Sequence, residues 1–289
     1  MLTGRRAGAR PTIGYMNEPG DDEPTTESAV PAEPTARPRT RARGAAKKRP
    51  RRRVSVVGVL GELLITAGVL VLLFLGWQQW LGDIIVGNQL YGQSVQQSQE
   101  WIKAGGPTKA PVDPADPAAP PVITASLANG KVFGYLYIPR FGSGYARPIA
   151  QGTGLPVLNK GNLGHYPTTQ MPGAVGNFMV ASHRKAYGGD LEHINDLRVG
   201  DHIFVGTADG WYQYTFRNLQ FVTPTDVAIL DPVPDQPGLQ PGDRIITLQS
   251  CNPFFSTAER IMAYGTFDSF YPVSGPPPAE IAATVSGKS

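Results

Sequence analysis

Residues 244–266 read RIITLQSCNPFFSTAERIMAYGT, two β-strand patterns joined by a polar loop that contains a proline. The predicted strands are Arg244–Gln249 and Arg260–Thr266, because both runs are rich in the β-branched, aliphatic and aromatic residues that favour strands. Two such strands pair as a hairpin, so the residues that flank the loop, Cys251 and Arg260, are expected to face each other. This stretch therefore predicts a β-fold and a cleft shared by a thiol and a guanidinium group.

The same strand-like sequence pattern begins at about Val132, where short apolar runs alternate with Gly, Pro, Asp and Asn. Ala-Asp-Gly at 208–210 predicts a hairpin turn, and apolar residues every three positions predict helical turns near Gly189–Leu197. About 140 residues with this spacing predict an all-β barrel or sandwich. The further predicted strands are Val132–Ile138, Asn177–Ser182, His202–Val205, Trp211–Arg217 and Leu219–Thr223.

Charge is distributed unevenly along the 289 residues, although the net charge is only +3. Residues 1–53 hold 13 of the 26 basic side chains but 6 of the 23 acidic ones, and ten of the basic ones lie between Arg37 and Arg53. This segment is polar and rich in proline, so it cannot bury enough apolar surface to fold. We predict a disordered, basic, cytoplasmic tail over residues 1–53.

The basic tail is followed by an apolar run of 22 residues from Val54 to Leu75. A helix of this length reaches roughly 33 Å, the thickness of a hydrocarbon core. Positive charge stays on the cytoplasmic side, so the remainder of the chain is predicted to lie outside the cell. An uncleaved transmembrane helix over 54–76 is favoured over a signal peptide, because the apolar run is too long and no small-residue cleavage site follows. Glu62 within the run is interpreted as protonated or paired with a neighbouring helix rather than as a functional group.

Four further segments complete the predicted organisation. Residues 77–103 form an amphipathic juxtamembrane helix, and 104–124 are a proline-rich, extended linker that holds the domain off the membrane. Residues 125–272 are predicted to form the β-rich domain, and 273–289 a flexible C-terminal tail.

Cys251 is the only cysteine of the chain, and its domain is predicted to lie where thiols usually pair. A lone cysteine is either an inert buried side chain or a reactive thiol. Its position at the end of a strand favours the second interpretation, since reactive groups are commonly displayed at strand ends.

A reactive thiol needs a neighbouring base and fixed donors for the oxyanion that acyl transfer creates. His183 follows a predicted strand and is the candidate among four histidines. Arg260 opposite Cys251 is the candidate donor. Each of these residues alone is more often structural, and only their combination indicates chemistry.

These residues and several further motifs resemble the sortase family, and in particular the class E sortases of high-GC Gram-positive bacteria. The resemblance covers roughly Val132 to Phe267. It is carried by Thr247-Leu248-Gln249-Ser250-Cys251 with Arg260 nine positions on, Leu136-Tyr137-Ile138-Pro139-Arg140, Gly164-His165-Tyr166-Pro167, Pro172-Gly173-Ala174-Val175-Gly176-Asn177-Phe178, and the run from Asn252 to Arg260.

The resemblance implies an eight-stranded sortase-type β-barrel with short helices, and cleavage of the Thr–Gly bond in a C-terminal sorting signal. It implies Cys251 as nucleophile, His183 as acid and base, and Arg260 as the clamp for substrate and oxyanion. It also implies a Leu-Ala-x-Thr-Gly-like signal, surface proteins as substrates, a peptidoglycan-precursor amine as acceptor and the cytoplasmic membrane as location.

Substrate contacts are predicted at five further positions near the catalytic candidates. The family usually has Gly before its histidine and Thr-Thr before its cysteine. This chain has Ser182 before His183 and Gln249-Ser250 before Cys251, so its preference among sorting signals is expected to differ. The predicted substrate-binding residues are Ser182, Ser250, Gln249, Tyr137 and Asn252.

Other functional classes are less well supported. An L,D-transpeptidase is disfavoured because its His-x-Gly and Ser-x-Gly-Cys-x-Arg motifs are absent from the sequence, whereas a non-catalytic, membrane-tethered β-domain that binds wall or protein partners remains the alternative. We expect no cofactor and no catalytic metal, since no His-Glu-x-x-His or paired-cysteine motif occurs, whereas the scattered carboxylates leave a calcium site open. Nucleic-acid binding is disfavoured, because residues 54–289 hold 13 basic and 17 acidic side chains, a net charge of −4.

Overall fold

A computed structural model of the chain describes residues 55–77, 81–106 and 119–288. The predicted tail over 1–53 and most of the predicted linker over 104–124 lie outside the described residues.

Helix α1, Val56–Gly76, is the one helix among the described residues that is long and apolar enough to span a membrane. Its 21 residues leave no side chain buried, and at 1.5 Å per residue they reach roughly 32 Å. Ser55 caps its first turn, where the Gly58 N–H donates to the Ser55 hydroxyl. The helix matches the predicted membrane span in place and length.

Eight strands form a closed barrel in the order β1-β2-β3-β4-β7-β8-β6-β5. Two neighbouring pairs, β2–β3 and β4–β7, are parallel, and the other pairs are antiparallel. The strands are β1 Val132–Tyr137, β2 Ala146–Gln151, β3 Leu163–His165, β4 Gly176–Ala181, β5 His202–Gly206, β6 Gly210–Val222, β7 Arg244–Asn252 and β8 Glu259–Pro272. The predicted eight-stranded barrel is therefore confirmed.

Alternate residues of the strands fill the barrel, as a two-residue repeat requires. In β4, Phe178 and Val180 join the interior cluster, whereas Met179 packs outside the barrel with Val222 and Ile229. Every residue of β4 is buried, so both faces of this strand are covered.

Apart from shifts at strand ends, among them the extension of β8 to Pro272, the strands differ from the predicted ones in two places. Strands β2 and β3 were not predicted, because β2 contains Pro148 and a charged Arg147 and β3 has only three residues. Two predicted strands, Trp211–Arg217 and Leu219–Thr223, form the single strand β6, whose pairing with β8 shifts register between Phe216 and Asn218. A bulge explains both the break in the pattern and the continuity of the strand.

Two connections follow the prediction. The Thr207 N–H donates to the Gly210 carbonyl across the predicted β5–β6 hairpin, and a 3-10 turn at Ile194–Asp196 lies within the predicted helical region. A short helix α3, Leu155–Leu158, precedes β3.

Helix α2, Gly82–Ala104, packs against the barrel and buries Gly87, Leu90, Ser94 and Ser98. Ser98 Oγ lies 2.8 Å from the Tyr137 hydroxyl oxygen, and the Trp101 ring lies 5.7 Å from that of Tyr135. The idea that a proline-rich linker holds the domain off the membrane is therefore wrong, since α2 precedes that segment and is already docked on the domain.

The C-terminal residues are also packed, in contrast to the predicted flexible tail over 273–289. Helix α4, Ala282–Ser286, lies next to α2, and Ile281 and Val285 are each 1% exposed. These two apolar residues are four positions apart, so they lie on one helix face. That face joins the cluster that contains Trp101 and Tyr91 of α2.

Candidate active site

His183 and Cys251 are brought together by the parallel pairing of β4 and β7. Ala181 is paired with Gln249, and the Ser182 N–H donates to the Gln249 carbonyl at 3.0 Å. Parallel strands end at the same edge of a sheet, and His183 and Cys251 each lie two positions beyond the last pair. Both side chains line one cleft of about 300 Å³.

Arg260 is paired with Cys251 across the antiparallel strands β7 and β8. Directly opposed residues project on the same face of a sheet, so the thiol and the guanidinium share that face. Arg260 Nη1 donates to the carbonyls of Thr257 and Glu259, each at 3.0 Å. These bonds fix the guanidinium beside the cleft rather than within its lining.

The imidazole of His183 is held by two neighbours. Its Nε2 lies 2.9 Å from Asn159 Oδ1, an acceptor, so Nε2 carries the proton in this arrangement and Nδ1 is left as the basic nitrogen. The Tyr187 ring lies 5.2 Å from the imidazole at an interplanar angle of 30°. Partial burial lowers the pKa of His183 from its ordinary value.

Arg184, the residue after His183, links the two halves of the site. Its Nη1 donates to the Asn252 side-chain oxygen and, at 3.4 Å, to the Cys251 carbonyl. Its Nη2 donates to Asn195 Oδ1 at 2.9 Å, and the guanidinium lies 4.3 Å from the centre of the Phe254 ring. One side chain thus ties the His183 loop to the end of β7.

Two predicted substrate-binding residues, Ser182 and Ser250, instead form the frame beneath the site. Ser250 Oγ donates to the Ser182 carbonyl at 3.0 Å, and Ser182 Oγ donates to Asp190 Oδ2 at 2.8 Å. Both serines are buried. Their hydroxyl groups make hydrogen bonds within the fold, so neither hydroxyl is accessible for the predicted contact with the substrate.

The other three predicted substrate-binding residues differ in position. Tyr137 is 1% exposed and lies against α2, so its predicted substrate contact is wrong. Gln249 is buried and accepts a bond from the Tyr166 hydroxyl at 2.9 Å. Asn252 is half-buried beside Arg184 and donates to Glu259 Oε2 at 2.9 Å, so it alone retains accessible surface at the cleft edge.

A buried ion pair supports the loop that follows His183. Arg147 Nε lies 3.1 Å from Asp190 Oδ1, at ion-pair distance but without hydrogen-bond geometry. Burial raises the pKa of Asp190 to about 7, and Arg147 and Ser182 oppose that shift. The Tyr145 hydroxyl donates to the Asp190 backbone carbonyl.

Sequence analysis missed several residues of this site. Asn159 and Tyr187, which contact His183, and Asp83, which lines the cleft from α2, are far from the quoted motifs along the chain. Only Arg184 could have been identified from the sequence, because it is a cationic residue directly after the candidate histidine His183. The others are identified by tertiary packing alone.

Comparison with known proteins agrees with this geometry. The family model described as Sortase domain matches residues 136–268. The chain is 33% identical over 243 residues to Sortase SrtE1 of Streptomyces coelicolor, covering 82% of this chain and 64% of that protein. It is 28% identical over 249 residues to Sortase SrtE2 of the same organism, covering 82% of this chain and 93% of that protein.

Solved structures give the same result. The SrtA sortase from Actinomyces oris is 36% identical, with a TM-score of 0.53, over 56% of this chain and 93% of that one. SrtF sortase from Corynebacterium diphtheriae is 27% identical, with a TM-score of 0.52, over 55% of this chain and 96% of that one. Because the family model, the curated relatives and the solved barrel all match, the chain belongs to the sortase family of cysteine transpeptidases, alongside the class E sortases.

Proposed function

We propose that this chain cleaves the Thr–Gly bond of a C-terminal sorting signal and transfers the new C-terminus to a cell-wall amine. The observation that carries the proposal is the register of β7 with its two neighbours. Pairing with β4 places His183 beside Cys251, and pairing with β8 places Arg260 opposite it. The nucleophile, base and cation are thereby held by hydrogen-bonded strand ends.

In the first step the Cys251 thiolate attacks the threonine carbonyl carbon. The C–N bond to glycine breaks as the tetrahedral intermediate collapses, and protonated His183 gives its proton to the departing glycine amine. The products are a thioester on Cys251 and a released peptide with a free amino terminus.

In the second step an amine of a peptidoglycan precursor attacks the thioester. Neutral His183 takes the proton of the attacking amine, and the thiolate of Cys251 leaves. Burial, which lowers the pKa of His183, favours the neutral form that this step needs.

Arg260 supplies the charge that the tetrahedral intermediate requires. Among the described residues, only Nη1 of its guanidinium makes hydrogen bonds, to two backbone carbonyls on its own side of the cleft. The other donors are available to a substrate carbonyl or to the developing oxyanion. A cation already fixed in place stabilises an oxyanion with little reorganisation.

The substrate and the location follow from the family and the sequence. A Leu-Ala-x-Thr-Gly-like signal on surface proteins is the proposed substrate class. The basic residues before α1 favour a cytoplasmic N-terminus and a barrel on the outer side of the membrane, the side to which such surface proteins are exported.

The proposal is tested with the full chain in detergent micelles and fluorogenic Leu-Ala-x-Thr-Gly and Leu-Pro-x-Thr-Gly peptides. We expect cleavage of the first, faster than of the second, and a covalent adduct on Cys251 whose mass equals the peptide without its glycine portion. Cys251→Ala should abolish both, and His183→Ala should reduce cleavage on the order of a thousandfold.

Two results would overturn it. A Cys251→Ala enzyme that cleaves at the parental rate would exclude the thioester. A parent chain that neither cleaves nor forms the adduct would favour the alternative of a non-catalytic, membrane-tethered β-domain.

A further inference from the structure

Asp83, the second residue of α2, reaches the catalytic cleft from outside the barrel. It lines the same cleft as His183 and Cys251, and its side chain is 11% exposed. Asp83 lies seven positions after Gly76, the last residue of α1. A connection of this length spans at most about 25 Å, so this carboxylate belongs to the part of the chain nearest the membrane span.

The carboxylate of Asp83 holds the loop that follows His183. Its Oδ2 accepts the Ala186 N–H at 3.2 Å, and its Oδ1 accepts the Gly188 N–H at 3.1 Å. Lys185 Nζ lies 3.5 Å from Oδ2 and is 13% exposed. One acidic side chain thus contacts three residues, Lys185, Ala186 and Gly188, of the segment 185–189.

Without such contacts the conformation of this loop is unfavourable. Four consecutive residues have positive φ, with Ala186 at 72° and Tyr187 at 53°, followed by Gly188 and Gly189. The two residues that have a Cβ atom are in a region that side chains disfavour, and such a conformation persists only where the surroundings hold it. The bonds to Asp83 provide that restraint, because they fix the N–H groups of Ala186 and Gly188 on either side of Tyr187.

Helix α2 also packs directly on the loop. A Cβ atom built at Gly188 would lie 3.2 Å from Leu90 Cδ1 and 3.3 Å from Val86 Cγ1. The carboxylate is therefore one end of a wider contact between the loop and the first three turns of α2.

The loop in turn contacts the proposed general acid and base. Tyr187 lies at its centre, and its ring packs against the imidazole of His183. The two N–H groups that Asp83 holds flank Tyr187 and set its position. Replacement of Asp83 should therefore displace Tyr187 and, through it, the imidazole of His183.

We propose that Asp83 is a positioning residue of the transpeptidation reaction, through which the juxtamembrane helix holds the Lys185–Gly189 loop and Tyr187 against His183. This inference rests on the role proposed above for His183. It makes α2 a component of the catalytic unit, joined to the membrane span by a few residues.

The test uses the full chain in detergent micelles with the fluorogenic Leu-Ala-x-Thr-Gly peptide, comparing Asp83→Ala and Asp83→Asn with the parent. Glu100→Ala is the matched control, because Glu100 is an exposed carboxylate of the same helix whose bonds, within the described part of the chain, come from Gln96 and Gln97 alone. Amide hydrogen exchange of residues 185–189 and near-ultraviolet circular dichroism are measured on each variant.

We expect Asp83→Ala to lower kcat on the order of tenfold or more, since small displacements of catalytic groups are costly, with a smaller change in KM. Exchange at Ala186 and Gly188 should be faster. Asp83→Asn keeps one carbonyl oxygen as acceptor, so its kcat should lie between those of the parent and Asp83→Ala. A general folding defect would not produce this order of rates. Glu100→Ala should match the parent in rate and exchange.

An Asp83→Ala enzyme with the parental kcat and parental exchange over 185–189 would refute the positioning role while leaving the proposed function intact. An increase in rate would also refute it, since it would mean that the carboxylate obstructs the cleft. A parent that cleaves no peptide would refute the proposed function itself, and the role of Asp83 with it.

Discussion

Cys251 and Arg260 are directly opposed residues of the antiparallel strands β7 and β8. Nine positions separate them along the chain, and the intervening loop carries Phe254 and Phe255, of which Phe255 lines the cleft. The hydrogen-bonded ladder fixes the register of the two backbones, and the bonds from Arg260 Nη1 to the carbonyls of Thr257 and Glu259 fix the guanidinium. A reaction that depends on both groups therefore has a preorganised frame.

Replacement of Arg260 tests whether geometry as well as charge is required. Arg260→Lys retains the positive charge but loses the planar set of donors, so we expect kcat/KM for peptide cleavage to fall on the order of a hundredfold. Arg260→Ala should fall further.

Arg217→Lys provides the control for that change. Arg217 lies on β6 and donates to Thr266 Oγ1 at 2.8 Å, away from the cleft, so its replacement should leave the rate within about twofold of the parent, as expected for a surface change. Parental activity in Arg260→Lys would show that a point charge is sufficient.

Asn159 is expected to control the pH profile through His183. Burial lowers the pKa of His183, and a carboxylate in place of the Asn159 amide would favour the imidazolium and raise that pKa. The limb of the kcat/KM profile that belongs to His183 should therefore move to higher pH in Asn159→Asp.

Asn159→Ala should instead reduce the rate without such an upward shift, because it removes the acceptor at 2.9 Å from Nε2 and adds no charge. The profiles are measured with the same peptide over pH 5 to 9, a range that spans the titration of histidine. An Asn159→Asp profile that coincides with that of the parent would disconnect this residue from His183.

The Cys251–Arg260 pair was predictable because it depends on a local pattern, whereas the strand patterns alone left a barrel or a sandwich open and the eight-stranded barrel was implied by the family resemblance. Two strand-like runs and the loop between them specify a hairpin, and the register of a hairpin follows from its sequence. Asp83 and Tyr137 could not be assigned in this way. Their environment is created by the docking of α2, and neither periodicity nor composition indicates which barrel residues a separate helix will cover.

Removal of a buried contact of α2 should destabilise the whole domain. Leu90 is 5% exposed and packs against two segments of the barrel, one at Gly161 and the other at Gly188. Leu90→Ala should therefore lower the free energy of unfolding by about 2–3 kcal/mol. Ile102→Ala on the same helix, where the side chain is 38% exposed, should cost less than about 1 kcal/mol. Denaturant unfolding followed by tryptophan fluorescence measures both; equal losses would mean that α2 is not docked through Leu90.

Asp190 should make stability depend on pH with a defined sign. Burial raises its pKa from 3.8 to about 7, so between these values the folded state holds a proton that the unfolded state has released. The free energy of unfolding should therefore fall as the pH rises from about 4 to about 7, by at most ~1.4 kcal/mol per pH unit from this group. Above that range the contribution is lost.

Asp190→Asn removes this titration and should flatten the pH dependence relative to the parent. Its absolute stability is not the readout, because the substitution also alters the contact with Arg147, whose Nε lies 3.1 Å from Asp190 Oδ1. Asp243→Asn, at an exposed carboxylate before β7, should keep the parental slope. Chemical denaturation at intervals from pH 4 to 8 gives the three slopes, and an Asp190→Asn slope equal to that of the parent would mean that Asp190 stays ionised beside Arg147 throughout the range.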